Sequence, residues 1–361
     1  MQQTVFARNL RCAAGASLAL LICAALSQAQ VPVTAPLATS PAATSREIVD
    51  EFGRKIHVPA TIRRVVSLAP SLTETIFALG LQDLLVGDTT YCDFPAEAQK
   101  KAKVGDAINP SLEAIVALHP DLVLVTNLNR LETVNALAEL GIPSYGTNPH
   151  NVYDIISSTQ RVADLLGARE AGTSLSENLQ RSLADTRQRV APFPQRRVLF
   201  VVWAQPLISV GKDTFIADAL QHAGAVSIVD SAQSWPQLNL EEVVRQQPDF
   251  LVFAESHGEN ATMNAGTFSS LPGWRILEAV RNRRYAVTSD AVNRPAPRIV
   301  SAIADLARQL HPEAFAEKSE NEKNKAENRI LPLYGVSPLL LSLATFVGQT
   351  LPNSRDNACA R

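Results

Sequence analysis

The sequence lacks the short motifs that mark most enzyme classes. It contains no G-x-S-x-G, no H-E-x-x-H, no phosphate-binding P-loop and no G-x-G-x-x-G, so a nucleophile elbow, a zinc protease site and a nucleotide cradle have no basis in the sequence. Its six histidines include no pair at metal-ligand spacing, and we expect them to be ordinary surface or turn residues. We therefore predict a binding protein rather than an enzyme, with no metal and no resident cofactor.

Cysteine, aromatic residues and excess charge are also scarce. Two of the four cysteines lie near the start of the chain, and the others, Cys92 and Cys359, are too few for a disulfide framework. The formal net charge of −2 argues against nucleic acid as a partner. Aromatic residues make up only 6% of the chain, which makes the loop from Asp88 to Pro95 notable because it contains two of them.

The first 29 residues have the pattern of an export signal. Arg8 and Arg11 precede a long apolar run, and the run ends at Ser27-Gln28-Ala29, with small residues at both positions that a signal peptidase reads. We therefore expect residues 1–29 to be removed and the mature protein to be periplasmic.

A lipoprotein signal is the alternative interpretation of the same segment. Cys23 would then be the acylated residue, but Ile22 stands where that signal has a small side chain. In either case residues 30–45, which are rich in proline, alanine, threonine and serine, are predicted to form a flexible linker, because this composition cannot bury enough surface to become ordered.

One stretch of the sequence occurs twice. Leu112–Val125 reads LEAIVALHPDLVLV, and Leu240–Phe253 reads LEEVVRQQPDFLVF. In both copies apolar residues at helical spacing precede Pro-Asp, and an apolar run typical of a buried strand follows. A single internal repeat at long spacing indicates two similar lobes rather than a solenoid.

Strand and helix patterns alternate along the chain. This alternation predicts an α/β fold of two similar lobes, each with a mostly parallel sheet flanked by helices, with the ligand cleft between the lobes. The predicted parts are an amino-terminal lobe at 46–168, a connecting helix at 169–192, a carboxy-terminal lobe at 193–312, and a tail of unassigned role at 313–361.

The predicted tail has two parts of different composition. Glu317–Arg329 is a run of charged residues in which acids and bases balance. Ile330–Val347 is apolar but is interrupted by two prolines, which favours an interfacial or poorly ordered segment over a membrane anchor.

Five separated motifs resemble a known family. They are RRVVSLAPSLTETIFALG at 63–80, YCDFP at 91–95, NPSLEAIVALHPDLVLV at 109–125, WPQLNLEEVV at 235–244 and SDAVNRPAPRI at 289–299. In sequence and order, across about residues 46–312, they resemble the vitamin B12 (cobalamin)-binding members of the helical-backbone substrate-binding proteins of bacterial ABC importers, a family that also captures ferric siderophores and haem.

The resemblance implies a function without chemistry. It implies a monomer that holds a corrinoid between two lobes and delivers it to the permease and ATPase of an ABC importer. A siderophore or haem receptor of the same fold is the alternative. Such a receptor would favour a basic cleft, for which only Arg294 and Arg298 are evident.

The resemblance also implies ligand contacts. By motif position these are Tyr91, Trp235, Asp290 and Arg294, and we add Trp203 because it lies near the end of the first strand of the second lobe. Aromatic faces with a few polar groups suit a corrin. The segment 106–110 departs from the family pattern because it contains no tryptophan, which leaves a different corrinoid or another macrocycle open.

Glu113 and Glu241 occupy the same position in the two copies of the repeat. The resemblance implies that each pairs with an arginine of the permease. The alternative follows from the residues themselves: Ser111 and Asn239 would cap the two helices, and a first-turn glutamate is favourable through the helix dipole by about 0.3–1 kcal/mol. Matched positions in both lobes favour the docking hypothesis.

A hypothesis from another class is a secreted hydrolase that uses Ser71, with Glu74 nearby in the sequence. Ser71 follows the turn after a predicted strand, but it is also predicted to be the N-cap of the next helix, and no histidine is linked to it by a motif.

Overall fold

Two parallel β-sheets, each flanked by helices, make up the described part of the chain, which confirms the predicted α/β fold. The computed structural model describes residues 45–254 and 265–316. The predicted export signal, most of the predicted linker, His257, Cys359 and residues 317–361 of the tail lie outside these ranges.

The first lobe contains a five-stranded sheet and an antiparallel hairpin. Its elements in chain order are β1 (Ser45–Val49), β2 (Lys55–Pro59), β3 (Val65–Ser67), α1 (Pro70–Ala78), β4 (Leu85–Asp88), β5 (Ala102–Lys103), α2 (Leu112–Ala117), β6 (Leu122–Thr126), α3 (Leu131–Glu139), β7 (Ser144–Thr147) and α4 (Val152–Leu165). The sheet order is β5-β4-β3-β6-β7 with all neighbours parallel, whereas β1 and β2 form the hairpin.

The second lobe contains a four-stranded sheet and follows a long helix, α5 (Arg169–Val190), in the segment predicted to connect the lobes. Its elements are β8 (Arg196–Phe200), β9 (Trp203–Ala204), β10 (Leu207–Ile208), α6 (Phe215–His222), β11 (Ala225–Ser227), α7 (Leu240–Gln246), β12 (Phe250–Ala254), α8 (Ala265–Ser270), α9 (Glu278–Arg281), β13 (Tyr285–Thr288), α10 (Ile299–Leu310) and α11 (Pro312–Phe315). The order is β11-β8-β12-β13, again with parallel neighbours.

The Pro-Asp dipeptide of the repeat has the same role in both lobes. The carboxylate of Asp121 accepts backbone N–H groups of Arg63 and Arg64 at 2.7 and 2.9 Å, and the carboxylate of Asp249 accepts the N–H of Arg197 at 2.8 Å. Asp121 thus fastens the start of β6 to the residues just before β3, and Asp249 fastens the start of β12 to the start of β8. The repeat is therefore a structural unit as well as a sequence pattern.

Helix α4 contributes to the cores of both lobes. Its first turns place Val152 and Ile156 in the core of the second lobe, while Val162 and Leu165 near its end lie in the core of the first lobe. The carboxylate of Asp218 in α6 accepts the N–H of Val152 at 2.8 Å, which attaches the amino end of α4 to the second lobe. A shared core of this kind favours small movements between the lobes, because interiors are close-packed.

Three expectations about individual residues are corrected by the structure. The N-cap of α1 is Ala69, not Ser71, because Pro70 occupies the first helical position, where its missing N–H costs nothing. His222 and His311 are buried rather than surface or turn residues. In the tautomer with a proton on Nε2, His311 donates to the carbonyl of Gly224 at 2.9 Å, so it packs as a core side chain with a polar partner.

Two predicted boundaries also shift. Ser45 belongs to β1 and not to the linker. Ala314 and Phe315, assigned to the tail, pack against the core of the second lobe, and Glu313 pairs with Arg196 at 2.9 Å. Across the ranges described, no helix is both long and apolar enough to span a bilayer.

Candidate functional site: the cleft between the lobes

A cavity of about 190 Å³ lies between the two lobes. The first lobe contributes Ser71, Thr126, Asn127, Leu128, Pro149 and His150. The second lobe contributes Asp213, Thr214, Phe215, Ser234, Trp235, Asn293 and Pro295. The first-lobe residues follow the carboxyl ends of β3, β6 and β7, which is where open parallel sheets bind ligands.

The cavity walls are mostly uncharged. Hydroxyl and amide groups alternate with apolar surface from Leu128, Phe215 and Trp235, and the ionisable side chains are His150 and Asp213. Within the described lining there is no lysine and no arginine. Nε2 of His150 lies 3.0 Å from Nδ2 of Asn148, so it accepts a hydrogen bond from that amide in the corresponding tautomer.

An ion-pair cluster joins the lobes beside this cavity. Glu74 of α1 is buried, with a side chain 2% exposed, and it accepts hydrogen bonds from Arg294 and Arg298 of the second lobe at distances of 2.8 to 3.0 Å. Asp93 contacts Arg294 at 2.7 Å, and Asp290 contacts both arginines at 2.9 and 3.0 Å. The cluster holds three carboxylates and two guanidinium groups, so its formal charge is negative.

These contacts shift the pKa values of the cluster. Burial by itself lowers the pKa of Arg294, but hydrogen bonds to Asp93 and Glu74 outweigh burial and raise it above its ordinary value. The pKa of Arg298 is raised for the same reason, with burial opposed by Glu74 and Asp290. Burial acts to raise the pKa of Asp93, yet its hydrogen bond to Arg294 prevails and lowers it. Every shift favours the charged forms.

The predicted ligand contacts fall into two groups. Tyr91 belongs to the same loop as Asp93 and Phe94, and that loop meets Arg294 and Arg298 through Asp93 and through the ring of Phe94, whose centroid lies 4.0 Å from Cζ of Arg298. Tyr91, Asp290 and Arg294 are thereby brought to one end of the cleft. The side chain of Tyr91 is 64% exposed, whereas Asp290 and Arg294 are engaged within the ion-pair cluster.

The two predicted tryptophans belong to a second group. Trp203 lies in β9, which pairs with β10, and Ile208 of β10 bridges to Gln237, two residues after Trp235. The sequence did not predict this small antiparallel patch, because β8 was expected to continue through Trp203. Trp235 lines the cavity and is 53% exposed, while Trp203, 46% exposed, donates its indole N–H to the carbonyl of Gln205 at 2.7 Å.

Sequence reasoning considered Glu74 only beside Ser71 in the hydrolase hypothesis and Arg298 only as a cation of a basic cleft, so it missed that the two pair. It also did not connect Asp93 or Phe94 to the cleft. A signal existed for Glu74, since a glutamate between apolar residues on a helix that packs against a sheet is placed for burial and needs a cationic partner. Nothing in the sequence pointed to which cation that was.

Comparison with known proteins identifies the family. Residues 65–291, more than half of the chain, match the periplasmic binding protein family. The chain belongs to this family. An uncharacterized ABC transporter substrate-binding lipoprotein of Bacillus subtilis, YvrC, is 28% identical over 279 residues, which span 75% of this chain and 87% of that one.

Two solved structures extend the comparison to this periplasmic binding protein's fold. The periplasmic heme-binding protein BhuT, in complex with two hemes, superposes with a TM-score of 0.64 at 26% identity, covering 71% of this chain and all of BhuT. The periplasmic vitamin B12-binding protein BtuF of Vibrio cholerae superposes with a TM-score of 0.61 at 25% identity, covering 71% of this chain and 99% of BtuF. All three relatives are named as binding proteins and none as an enzyme, and YvrC is named as the substrate-binding protein of an ABC transporter.

The paired glutamates lie at equivalent places in the periplasmic binding protein. Glu113 and Glu241 are exposed in the first turns of α2 and α7, and neither makes an ion pair with any described residue. Ser111 and Asn239 cap these helices, as the residue-based alternative expected. Each glutamate also precedes the strand that follows its helix, β6 or β12, by the same number of residues.

Ser71 lines the cavity without the partners of a nucleophile. Both carboxylate oxygens of Glu74 are bonded to arginines, and among the described residues no histidine bonds the Ser71 hydroxyl.

No group of side chains suited to a metal ion occurs in the described ranges. Cys92 is a buried free thiol that contacts the hydroxyls of Thr73 and Thr89 at 3.2 Å, and burial raises its pKa.

Proposed function

We propose that this periplasmic binding protein captures a corrinoid in the cleft between its lobes and delivers it to the permease of an ABC importer, without chemistry of its own. The charge of the cleft carries this proposal. The described cavity lining has no lysine and no arginine, and carboxylates outnumber the two neighbouring arginines. A corrin is a large flat ring fringed with neutral amides, so it needs aromatic faces and hydrogen-bonding groups rather than cations.

The charge of the cleft favours a corrinoid over haem, between which the comparisons do not decide. Similar proteins include one named for haem and one named for vitamin B12, at nearly the same identity. Haem carries two propionate groups, and most ferric siderophores of the catecholate class are more strongly anionic. Burying such anions in a cleft without a free cation is unfavourable, whereas a corrinoid makes no such demand.

The size of the cavity indicates how a corrinoid would be held. Pockets that enclose drug-sized ligands measure about 300–1,000 Å³, and the cavity here is about 190 Å³. A corrinoid would therefore extend from the cavity into the open cleft. We propose that Trp235, Trp203 and Tyr91, whose side chains are exposed, contact the ring there.

Membership of the family places the protein outside the cytoplasm. We propose that it reaches the periplasm after cleavage behind Ala29 and acts there as a monomer. The similar lipoprotein of Bacillus subtilis makes acylation at Cys23 the competing route. The mass of the exported protein distinguishes the two routes. Cleavage behind Ala29 gives an unmodified chain from Gln30, whereas acylation gives a lipid-modified chain from Cys23.

Calorimetric titration tests the ligand assignment. Cyanocobalamin and dicyanocobinamide are compared with haem and a ferric catecholate siderophore under one set of conditions. We expect binding of at least one corrinoid at micromolar concentration or tighter, and at least tenfold weaker binding of the two anionic ligands. Absence of binding for both corrinoids, or tighter binding of haem, overturns the assignment.

A further inference from the structure

We propose that Glu74 determines the charge selectivity of the cleft by neutralising Arg294 and Arg298, so that anionic ligands are not retained. This inference rests on the proposed function in one respect only, namely that the ligand lies between the lobes. It assigns to Glu74 a positioning role that acts through the two arginines.

The geometry of Glu74 supports this role. Both of its carboxylate oxygens are occupied, Oε1 by Arg294 and Arg298 at 2.8 Å each and Oε2 by Arg298 at 3.0 Å. Its side chain is 2% exposed, against 16% and 20% for the arginines. Glu74 is therefore the innermost member of the cluster, and the guanidinium groups stand between it and solvent.

The ion-pair cluster lies beside the cavity, although none of its five side chains is part of the lining. Asn293 and Pro295, on either side of Arg294 in the sequence, both line the cavity, and so does Ser71, one helical turn before Glu74. Arg298 is also covered by the ring of Phe94. Replacing Glu74 with glutamine would leave two carboxylates, those of Asp93 and Asp290, against two guanidinium groups, which removes the excess of negative charge next to the cavity.

Stabilisation of the fold is a weaker explanation of the buried carboxylate. Desolvating a glutamate and two arginines opposes their mutual attraction, and replacement of such clusters by neutral groups is often without net cost. Unlike an apolar contact, a charged cluster that spans two lobes at a ligand cleft also sets the sign of the electrostatic potential that a ligand meets on entry.

The test uses ligands that differ only in charge. Protoporphyrin IX carries two carboxylates, and its dimethyl ester carries none. Quenching of tryptophan fluorescence is used to measure the affinities of both for the wild-type protein and for Glu74→Gln. We expect Glu74→Gln to raise the affinity for protoporphyrin IX at least tenfold and to change the affinity for the ester less than threefold. The affinity of the variant for protoporphyrin IX should fall as the salt concentration is increased.

Two variants control for structural effects. Glu74→Asp keeps the charge and should restore the wild-type ratio of the two affinities. Glu51→Gln removes another largely buried glutamate, paired with Arg161 at 3.0 Å inside the first lobe, and should leave the ratio unchanged. A folded Glu74→Gln variant with the wild-type ratio overturns the proposal, and so does a Glu51→Gln variant that shifts the ratio equally.

Asp93→Asn keeps the test decisive if Glu74→Gln does not fold. Asp93 is 52% exposed and contacts Arg294. Loss of its charge should therefore raise the affinity for protoporphyrin IX relative to that for the ester by about threefold, and an unchanged ratio of the two affinities contradicts the proposal.

Titration with dicyanocobinamide distinguishes failure of this inference from failure of the proposed function. A wild-type protein that binds no corrinoid while Glu74→Gln gains affinity for the anion defeats the proposed function and leaves this inference standing.

Discussion

Oε1 of Glu74 lies 2.8 Å from Nη1 of Arg294, and these atoms belong to opposite lobes. The contact closes one end of the cleft, while α4, whose residues enter both cores, ties the lobes together elsewhere. Movement between the lobes is consequently constrained at two places. We expect ligand capture to involve a small opening rather than a large hinge rotation.

Trp235→Ala should weaken corrinoid binding at least tenfold, or about 1.4 kcal/mol. The indole lines the cavity and offers a large rigid apolar surface, which is typical of residues that dominate binding. Because the side chain is 53% exposed, the melting temperature should change little. Titration of both proteins with dicyanocobinamide measures the effect.

Trp203→Ala is the matched control for that prediction. Its exposure is similar, but Trp203 is not part of the cavity lining. Its loss should weaken binding less than the loss of Trp235. The opposite ranking would show that the ring binds over the antiparallel patch and not at the cavity.

Glu113→Ala combined with Glu241→Ala should leave ligand affinity and melting temperature nearly unchanged, while ligand transfer to the reconstituted permease falls at least tenfold. Exposed charges without an internal partner contribute little to stability, but they can steer and register a complex. Transport into proteoliposomes measures this, and the wild-type rate should decline as salt is raised.

A double variant of Glu132 and Glu278 controls for the loss of first-turn charge. These glutamates stand in the first turns of α3 and α9, one in each lobe, but outside the repeat. Transport should be normal when both are alanine. Normal transport by the Glu113 and Glu241 variant, together with a melting temperature lowered by several degrees, would instead assign those residues a role at the helix start only.

Removing the carboxylate of either repeat aspartate should destabilise the fold. Asp121→Ala and Asp249→Ala each remove the charged acceptor of backbone N–H groups at or just before the neighbouring strand, and because these groups are exposed to water the cost is about 0.5–1.5 kcal/mol per bond. The larger loss is expected for Asp121, which accepts two N–H groups where Asp249 accepts one. Urea unfolding measures both, with the exposed Asp83→Ala as a control that should change stability by less than about 0.5 kcal/mol. Equal stability of all three variants would contradict the structural role of the repeat.

Asp218 should make stability depend on pH in the acid range. Burial acts to raise its pKa, but the contact with His222, whose Nε2 lies 3.3 Å from Oδ2, and the hydrogen bond from the N–H of Val152 prevail and hold the pKa below the ordinary value of 3.8. Since the folded pKa is the lower one, the unfolded chain binds more protons, and stability is lost as pH falls. The contribution is complete above about pH 5 and declines as the pH passes through 3.8 toward the folded pKa.

Comparison with Asp218→Asn isolates this effect. Near neutral pH the wild-type protein should be more stable than the variant by on the order of 1 kcal/mol. Urea unfolding at several pH values should show the difference shrinking below about pH 4. A difference that is independent of pH would mean that the amide replaces the carboxylate fully at the amino end of α4.

The sequence by itself determined the class of the fold and most of its elements. The helix and the strand predicted in each copy of the repeat are found as α2 and β6 in one lobe and as α7 and β12 in the other, because periodicity and terminating residues are local properties of the chain. The repeat predicted two lobes for a similar reason, since each Pro-Asp and its apolar run organise the structure immediately around them. The motifs also led to the cleft: Trp235 lines the cavity, and Asp290 and Arg294 lie beside it.

The tertiary structure alone decided what surrounds that cleft. The contacts of Glu74 with Arg294 and Arg298 join residues more than 200 positions apart, and such pairings leave no pattern that a sequence window can register. The same holds for α4, whose amphipathic sequence indicates burial but not that two different cores share it. Local sequence fixes how each segment folds, whereas the charge of the cleft depends on which side chains packing brings together from distant segments.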